Sequence, residues 1–512
     1  MNRFQKISAI AFSALAVGLL FSCGGEKEKG VSEKSESAQN VANSVTEGGE
    51  FVFGVATELN NFDPFTSITA DVRGVNFNIF EGLVKVASDG SFEGAIADSY
   101  KVSEDAKVYT FHIRQGVQFH NGKALEEKDI LYSVQKAIDK KFAGYSEIQE
   151  FGMKDDNLVI VLNQADAGFV AYLTNAIVPA DYDNHALEPI GTGPFKLTEY
   201  KEQDHVTLEK NEAYWGEKAH LDKVVIKFVA SQANLVISFQ SGAIDGFSAE
   251  AGTVMQLDEN AITKYQSNSN AVQLIALNND FEPFKDSRVR QALNYLVDRK
   301  EIVDTVNYGY GVITGSALIP ALSKYYDDTL SSSYTVDVEK AKELLSQAGY
   351  PNGFKFTITV PSSYTVHVDT ASVVVNQLAK AGITADIKQV DWATWLSNVY
   401  KGRQYEATII SLDGSLAYPT AFLSRYVSNA KNNFMNFKSS SYDDIYAKAI
   451  STIDEDEKEE LFKSAQKILS NEAAGVYIQD ISEFAVYNKN FAGYKGYPLY
   501  ARDFSAIYKV AK

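Results

Sequence analysis

Cysteine is nearly missing from this chain, with one thiol, Cys23, in 512 residues. No disulfide can form within the molecule, so the fold has to be held by its core. Histidine is scarce as well. His112, His120, His185, His205, His220 and His367 never fall at the i, i+4 spacing that lets two imidazoles share a metal on one helix face. No metal site and no cofactor are expected. The local signatures of catalysis are absent too: there is no G-x-x-x-x-G-K-[ST] loop, no G-x-S-x-G elbow and no H-E-x-x-H helix. Gly309-Tyr310-Gly311 with Gly315 has the wrong spacing for a dinucleotide turn, and the acidic pairs Asp155-Asp156 and Asp443-Asp444 read as solvated surface in so acidic a chain. No catalytic residue is assigned.

Positive charge is in deficit. Lys and Arg number 48 against 66 Asp and Glu, a formal charge of −18, and losing Arg3 and Lys6 with a leader would take it to −20. Such a surface repels nucleic acid and anionic headgroups alike, so any attachment to a membrane has to come from a lipid.

The first residues supply that lipid's candidate site. Arg3 and Lys6 precede an almost unbroken small and apolar run over 7–21, too short for the ~20 residues that span a bilayer, and the run ends in Leu20-Phe21-Ser22-Cys23. The pattern reads as a secretory signal over 1–22. Its last four residues resemble a bacterial lipobox, a resemblance that implies cleavage before Cys23 and acylation of its thiol. Each buried acyl methylene contributes about 0.8 kcal/mol, so several chains hold firmly. Residues 24–50 are rich in Glu, Lys, Ser and Gly with no aromatic, which predicts a tether spanning on the order of 30 Å and a folded part starting near Phe51.

Beyond it the pattern is α/β. Alternation predicts strands at 51–56 and 109–114; 123–140 switches to helical spacing through Leu125, Ile130, Val134 and Ile138; and 158–162, 195–197, 206–209 and 224–229 read as further strands. Asp286 caps an expected helix through Val289, Leu293 and Leu296. Asp298 with Glu301 reads as a capping-box-like pair opening a helix at Ile302, and Asp337 caps one ended by Gly349 and Pro351. Strands at 354–360 and 384–390 flank a helix at 370–381.

Several of these segments carry a resemblance. Glu81-Gly82-Leu83-Val84, the 94–100 and 109–122 stretches, Gly191-Thr192-Gly193-Pro194-Phe195, Asn211-Glu212-Ala213-Tyr214-Trp215 and 284–299 follow one another as in bacterial extracellular solute-binding proteins, family 5, the oligopeptide, dipeptide and nickel class. The resemblance implies a periplasmic-binding-protein-like two-lobe fold with an extra third domain, joined by a hinge. By analogy, 51–80 with 189–274 and 485–512 form lobe I, 81–188 the extra domain of lobe I, and 275–484 lobe II. It implies a monomeric, exported carrier that takes a short peptide, or a similar extended solute, to an ABC permease with its ATPase subunits. An oligosaccharide or metal chelate is the alternative within the family, and a surface hydrolase or adhesin the alternative outside it.

The resemblance also nominates a site. Backbone at Thr66, Ser67 and Ile68 would face backbone at 410–415, including Leu412, Gly414 and Ser415, with Trp392 and Trp395 walling the cleft. Peptide binders of the family place an aspartate four residues before the proline matching Pro419; here Ser415 stands there, Leu412 replaces the usual tryptophan, and Asp413 is the candidate partner for a ligand's ammonium.

Overall fold

The computed structural model describes residues 45–67, 69–414 and 416–511. Cys23, the leader and most of the tether therefore lie outside it. Order begins earlier than the composition suggests: Val45–Thr46 pairs with Lys509 and Val510 of the C-terminal strand, Gly48 N–H donates to the His220 carbonyl at 2.7 Å, and Glu47 meets His220 at 2.8 Å. The polar composition concealed this because the contacts are backbone pairing and surface charge, neither of which needs apolar side chains.

An eleven-stranded mixed sheet organises the chain. Two long antiparallel strands, Ile262–Leu277 and Val476–Asn488, run through its middle. At one end they continue into Gly246–Glu250, Glu50–Val55, Lys223–Phe228, His205–Lys210 and Phe195–Lys201, the sheet of lobe I. At the other they continue into Ala407–Asp413, Lys355–Pro361 and Thr384–Val390, the sheet of lobe II. Between the halves the pairing slips from Asn268–Ser482 to Val272–Asp480, leaving residues 269–271 as a bulge with Asn270 at φ +56°. A bulge there lets the two halves of a strand take different directions.

A separate four-stranded antiparallel sheet, in the order Ala97–Val102, Val108–Ile113, Asn157–Leu162, Ile148–Lys154, packs beside lobe I. Tyr109, Phe111, Ile113, Leu158, Ile160 and Leu162 all point into one core. Alternate burial explains the continuous apolar run at 158–162: its odd partners Val159 and Val161 are half-covered on the other face.

Capping signals act where the sequence places them. Asp286 accepts from Arg288 N–H, Asp298 from Glu301 N–H and Asp337 from Lys340 N–H. Two details differ. The Asp298 helix starts at Arg299 rather than Ile302, and its box does not close on itself: Gln377 donates to Glu301 and accepts from the Asp298 N–H, so a neighbouring helix supplies the missing half. That helix, Thr365–Ala379, begins five residues earlier than its apolar spacing suggests.

The glycines of the 191–194 motif answer to close approach. A Cβ at Gly191 would lie 2.0 Å from the Ile79 carbonyl oxygen and one at Gly193 2.5 Å from that of Asn78. Gly193 N–H and Phe195 N–H donate to those same carbonyls, while the Asn78 side chain binds Arg502 and Phe504 of the C-terminal tail. The motif thus clamps the tail to lobe I.

Candidate functional site

Lobe I and lobe II meet away from the crossing strands as well as along them. Ala167 N–H donates to the Ile450 carbonyl at 2.8 Å, and Tyr418 packs so closely on Gly168 that a Cβ there would lie 2.1 Å from its ring. The lobes touch here, and between them lies a partly open cavity of about 700 Å³, within the range of small-molecule sites.

Lobe II contributes Asp413 and Gly414, at the end of strand Ala407–Asp413, with Leu416 and Ala417 behind them. Residues 271–277 pair with that strand along its whole length, but on its other side Lys355–Pro361 pairs only at Ala407 and Thr408. Beyond Thr408 that side has no strand neighbour among the described residues. Arg425 steadies the end of the strand, donating to the carbonyls of Asp413 at 2.8 Å and Ala421 at 3.2 Å. The Asp413 carboxylate itself is exposed and makes no ion pair among the described residues.

Lobe I and the small sheets supply the facing wall. Two motif residues 133 positions apart meet in it: Tyr214 donates its hydroxyl to Glu81 at 2.5 Å, and both line the cavity. Burial pushes the Glu81 carboxyl up to about 7 against the opposing pull of that hydrogen bond and of Lys85. Nearby, Tyr497 donates to Asp503 at 2.7 Å. Arg73, Lys85 and Lys495 also line the cavity, as do Ser269 and Asn270 of the bulge.

Of the residues nominated from sequence, the structure brings Ser67, Asp413 and Gly414 to the cavity wall. Ile68 and Ser415 lie outside the described residues, as Cys23 does. Thr66 does not reach the wall: its hydroxyl accepts from Asn61, and the N–H groups of both Thr66 and Ser67 turn back to the Asp63 carbonyl. Their carbonyls and the Ser67 side chain are what these two residues keep for a guest. Leu412 faces the other way, 8% exposed in the lobe II core, as strand alternation requires of a neighbour of Asp413. Neither tryptophan walls the cavity. Trp395 is 2% exposed and donates its indole N–H to Thr408 at 2.9 Å; Trp392 is 42% exposed and stacks on Trp395 at 5.1 Å. Trp392 opens the short helix Trp392–Thr394, and Trp395 begins the π-helical segment Trp395–Lys401 that carries its ring into the lobe II core.

Sequence reasoning left Glu81 and Tyr214 without a role although both stood in the matched motifs, and it passed over Arg73, which carries no pattern to mark it.

A family profile described as the middle part of bacterial extracellular solute-binding proteins, family 5, matches residues 91–434. The chain belongs to that family. Its members are binding proteins, and this chain is one rather than an enzyme. Among family 5 relatives, heme-binding protein A of Haemophilus influenzae is 28% identical over 558 residues, 99% of both chains. The dipeptide-binding protein of Escherichia coli is 27% identical, covering 80% of this chain and 85% of that protein. Among solved structures, the ABC transporter-associated periplasmic binding protein DppA of Helicobacter pylori, in complex with the peptide STSA, matches with a TM-score of 0.74 at 28% identity, over 91% of this chain and 99% of that one. HbpA2 of Haemophilus parasuis superposes with a TM-score of 0.82 at 23% identity, over 90% and 100%, a likeness of fold. The two-lobe α/β architecture is common to all of these structures. No helix among the described residues is long and apolar enough to cross a membrane.

Proposed function

We propose that this family 5 protein is the solute receptor of an ATP-driven importer, that it binds short peptides between its lobes, and that an acylated Cys23 tethers it to the membrane. The observation that carries the reading is an exposed carboxylate without an ion pair, Asp413, at the cavity wall and at the end of a strand whose outer side lacks a neighbour beyond Thr408 among the described residues. An extended peptide can add to that side through its main chain, which gives affinity without regard to side chains, while Asp413 takes the terminal ammonium. The volume leaves room for varied side chains and water. Contacts to both lobes exist only in the shut form, so the ligand biases closure by its differential affinity, and a permease can read closure. The relatives named for dipeptide and glutathione, and the solved complex with STSA, support a peptide guest.

A heme guest, suggested by the Haemophilus relative's name, is disfavoured by the wall's chemistry. Among the described lining residues there is no His, Cys or Met, and three of the four lining tyrosines, Tyr214, Tyr497 and Tyr500, donate their hydroxyls to acids.

Native mass spectrometry of the purified protein tests the reading directly: short peptides released on denaturation are expected, and a released porphyrin or sugar overturns it. For the anchor, metabolic labelling with a radiolabelled fatty acid should mark the wild type and leave Cys23→Ala unlabelled; equal labelling of both refutes it.

A further inference from the structure

The wall facing Asp413 holds an arginine, Arg73, with no carboxylate in ion-pair reach among the described residues. Helix Ala70–Asn76 buries Val72, Gly74, Val75 and Asn76 and leaves Arg73 exposed at the cavity. The helix has one acid, Asp71, and it is already taken: Arg502 reaches it at 2.6 Å, lies over the rings of Phe53 and Tyr500, and packs 3.3 Å from where a Cβ of Gly74 would stand. Arg502 is structural. Arg73 is not engaged in that way, and neither it nor Lys85 nor Lys495 has a carboxylate within 4.0 Å among the described residues. Of the acids on the same wall, Asp503 accepts from Tyr497 and Ser505 and Glu81 accepts from Tyr214, while Glu93 stands opposite Lys85 in the strand pair Val84–Val86 with Phe92–Gly94 and Glu217 also lines the cavity. Lys85 thus has acids on its own wall, whereas Arg73, its helix's one acid already occupied, is the cation left for a guest to complete.

We infer that Arg73 is the specificity-determining residue for a carboxylate of the bound solute, with Lys495 favouring further negative charge on it. The guanidinium fork matches a carboxylate with two parallel hydrogen bonds, which an ammonium cannot do. Together with Asp413, this orients the guest as a dipole: ammonium toward lobe II, carboxylate toward lobe I. Each end alone touches one lobe; only a molecule bearing both draws the lobes together. The inference rests on the peptide reading above for its ammonium half.

The test uses trialanine, its C-terminal amide and its N-acetyl derivative, titrated calorimetrically into protein stripped of solute by unfolding and refolding. A hydrogen-bonded charge contributes about 1.5–3 kcal/mol, roughly a factor of ten to a hundred or more in affinity. The wild type should therefore bind trialanine at least tenfold more tightly than either derivative. Arg73→Gln, at an exposed position where folding is not at stake, should bind the acid and the amide equally while still rejecting the N-acetyl form. If Arg73→Gln keeps the tenfold preference for the acid, the inference falls and the peptide reading stands. If the wild type binds none of the three probes, both fall together.

Discussion

Asp480 offers a quantitative check on how the crossing strands are held. It is fully buried beside the bulge, one carboxyl oxygen accepting from Ser269 Oγ at 3.0 Å and from Ala271 N–H at 3.5 Å, the other without a partner. Burial pushes the group from 3.8 up to about 7 against those hydrogen bonds, with Glu483 adding to the push. A carboxyl raised in the folded state binds its proton more tightly there than in the unfolded chain, so stability is lost as pH rises from about 4 through about 7. Between pH 5 and pH 8 the loss from this one group works out at about 2.5 kcal/mol. Asp480→Asn keeps the accepting oxygen and cannot ionise. Glu81 and Asp166, also raised, act in the same direction, and His120, His185 and His367, held down to about 4 by burial, act in the opposite one as pH falls below 6.5. Both proteins carry those five groups, so they cancel in the difference. Urea unfolding followed by far-UV circular dichroism should show the stability gap between Asp480→Asn and wild type moving by about 2.5 kcal/mol in favour of the variant from pH 5 to pH 8. Parallel curves would mean that Asp480 is already ionised in the folded protein at pH 5, and the account of the bulge would be wrong.

Other consequences are as direct. Gly191→Ala should cost roughly 3 kcal/mol in urea unfolding, because its methyl would fall on the Ile79 carbonyl oxygen and backbone cannot swing aside as a side chain would. Trp395→Phe should lower stability by about 1–3 kcal/mol through the lost bond to Thr408 and the lost packing, with trialanine affinity unchanged; a large affinity loss would return Trp395 to the cleft. Because Glu81 ionises as pH rises through about 7, trialanine affinity should fall several-fold from pH 6 to pH 8 in the wild type and stay level in Glu81→Gln, read by the same titration. Asp413→Asn should weaken trialanine at least tenfold while leaving N-acetyl-trialanine unaffected, and an equal loss for both would remove the ammonium from that position.

Local chemistry made much of the fold readable. Asp286, Asp298 and Asp337 announce helices because a short acid before an apolar period satisfies exposed N–H groups within the same few residues. The strands at 51, 109, 158 and 224 are readable because each has a face in a core. The first half of the long crossing strand is not: Thr263-Lys264-Tyr265-Gln266-Ser267-Asn268 shows no apolar alternation, since this part is held by pairing with 482–487 over a partly open, polar surface. The site divides likewise. The family pattern points four residues before Pro419, at Ser415, and Asp413 could be named as the nearest acid, two residues earlier, whereas Arg73 looks like any surface arginine until Asp71 is seen to be occupied by a residue 431 positions away. The tryptophans misled because a bulky ring near a cleft and one under it have the same sequence signature.

The tail that the Gly191 and Gly193 loop pins in place has a bearing on how the molecule comes into being. Ala485, Tyr487, Phe491, Phe504 and Ile507 fill the same core as Phe51 and Phe53, so lobe I lacks part of its interior until a segment more than 430 positions later has been made. A chain without that segment leaves Phe51 and Phe53 without these partners.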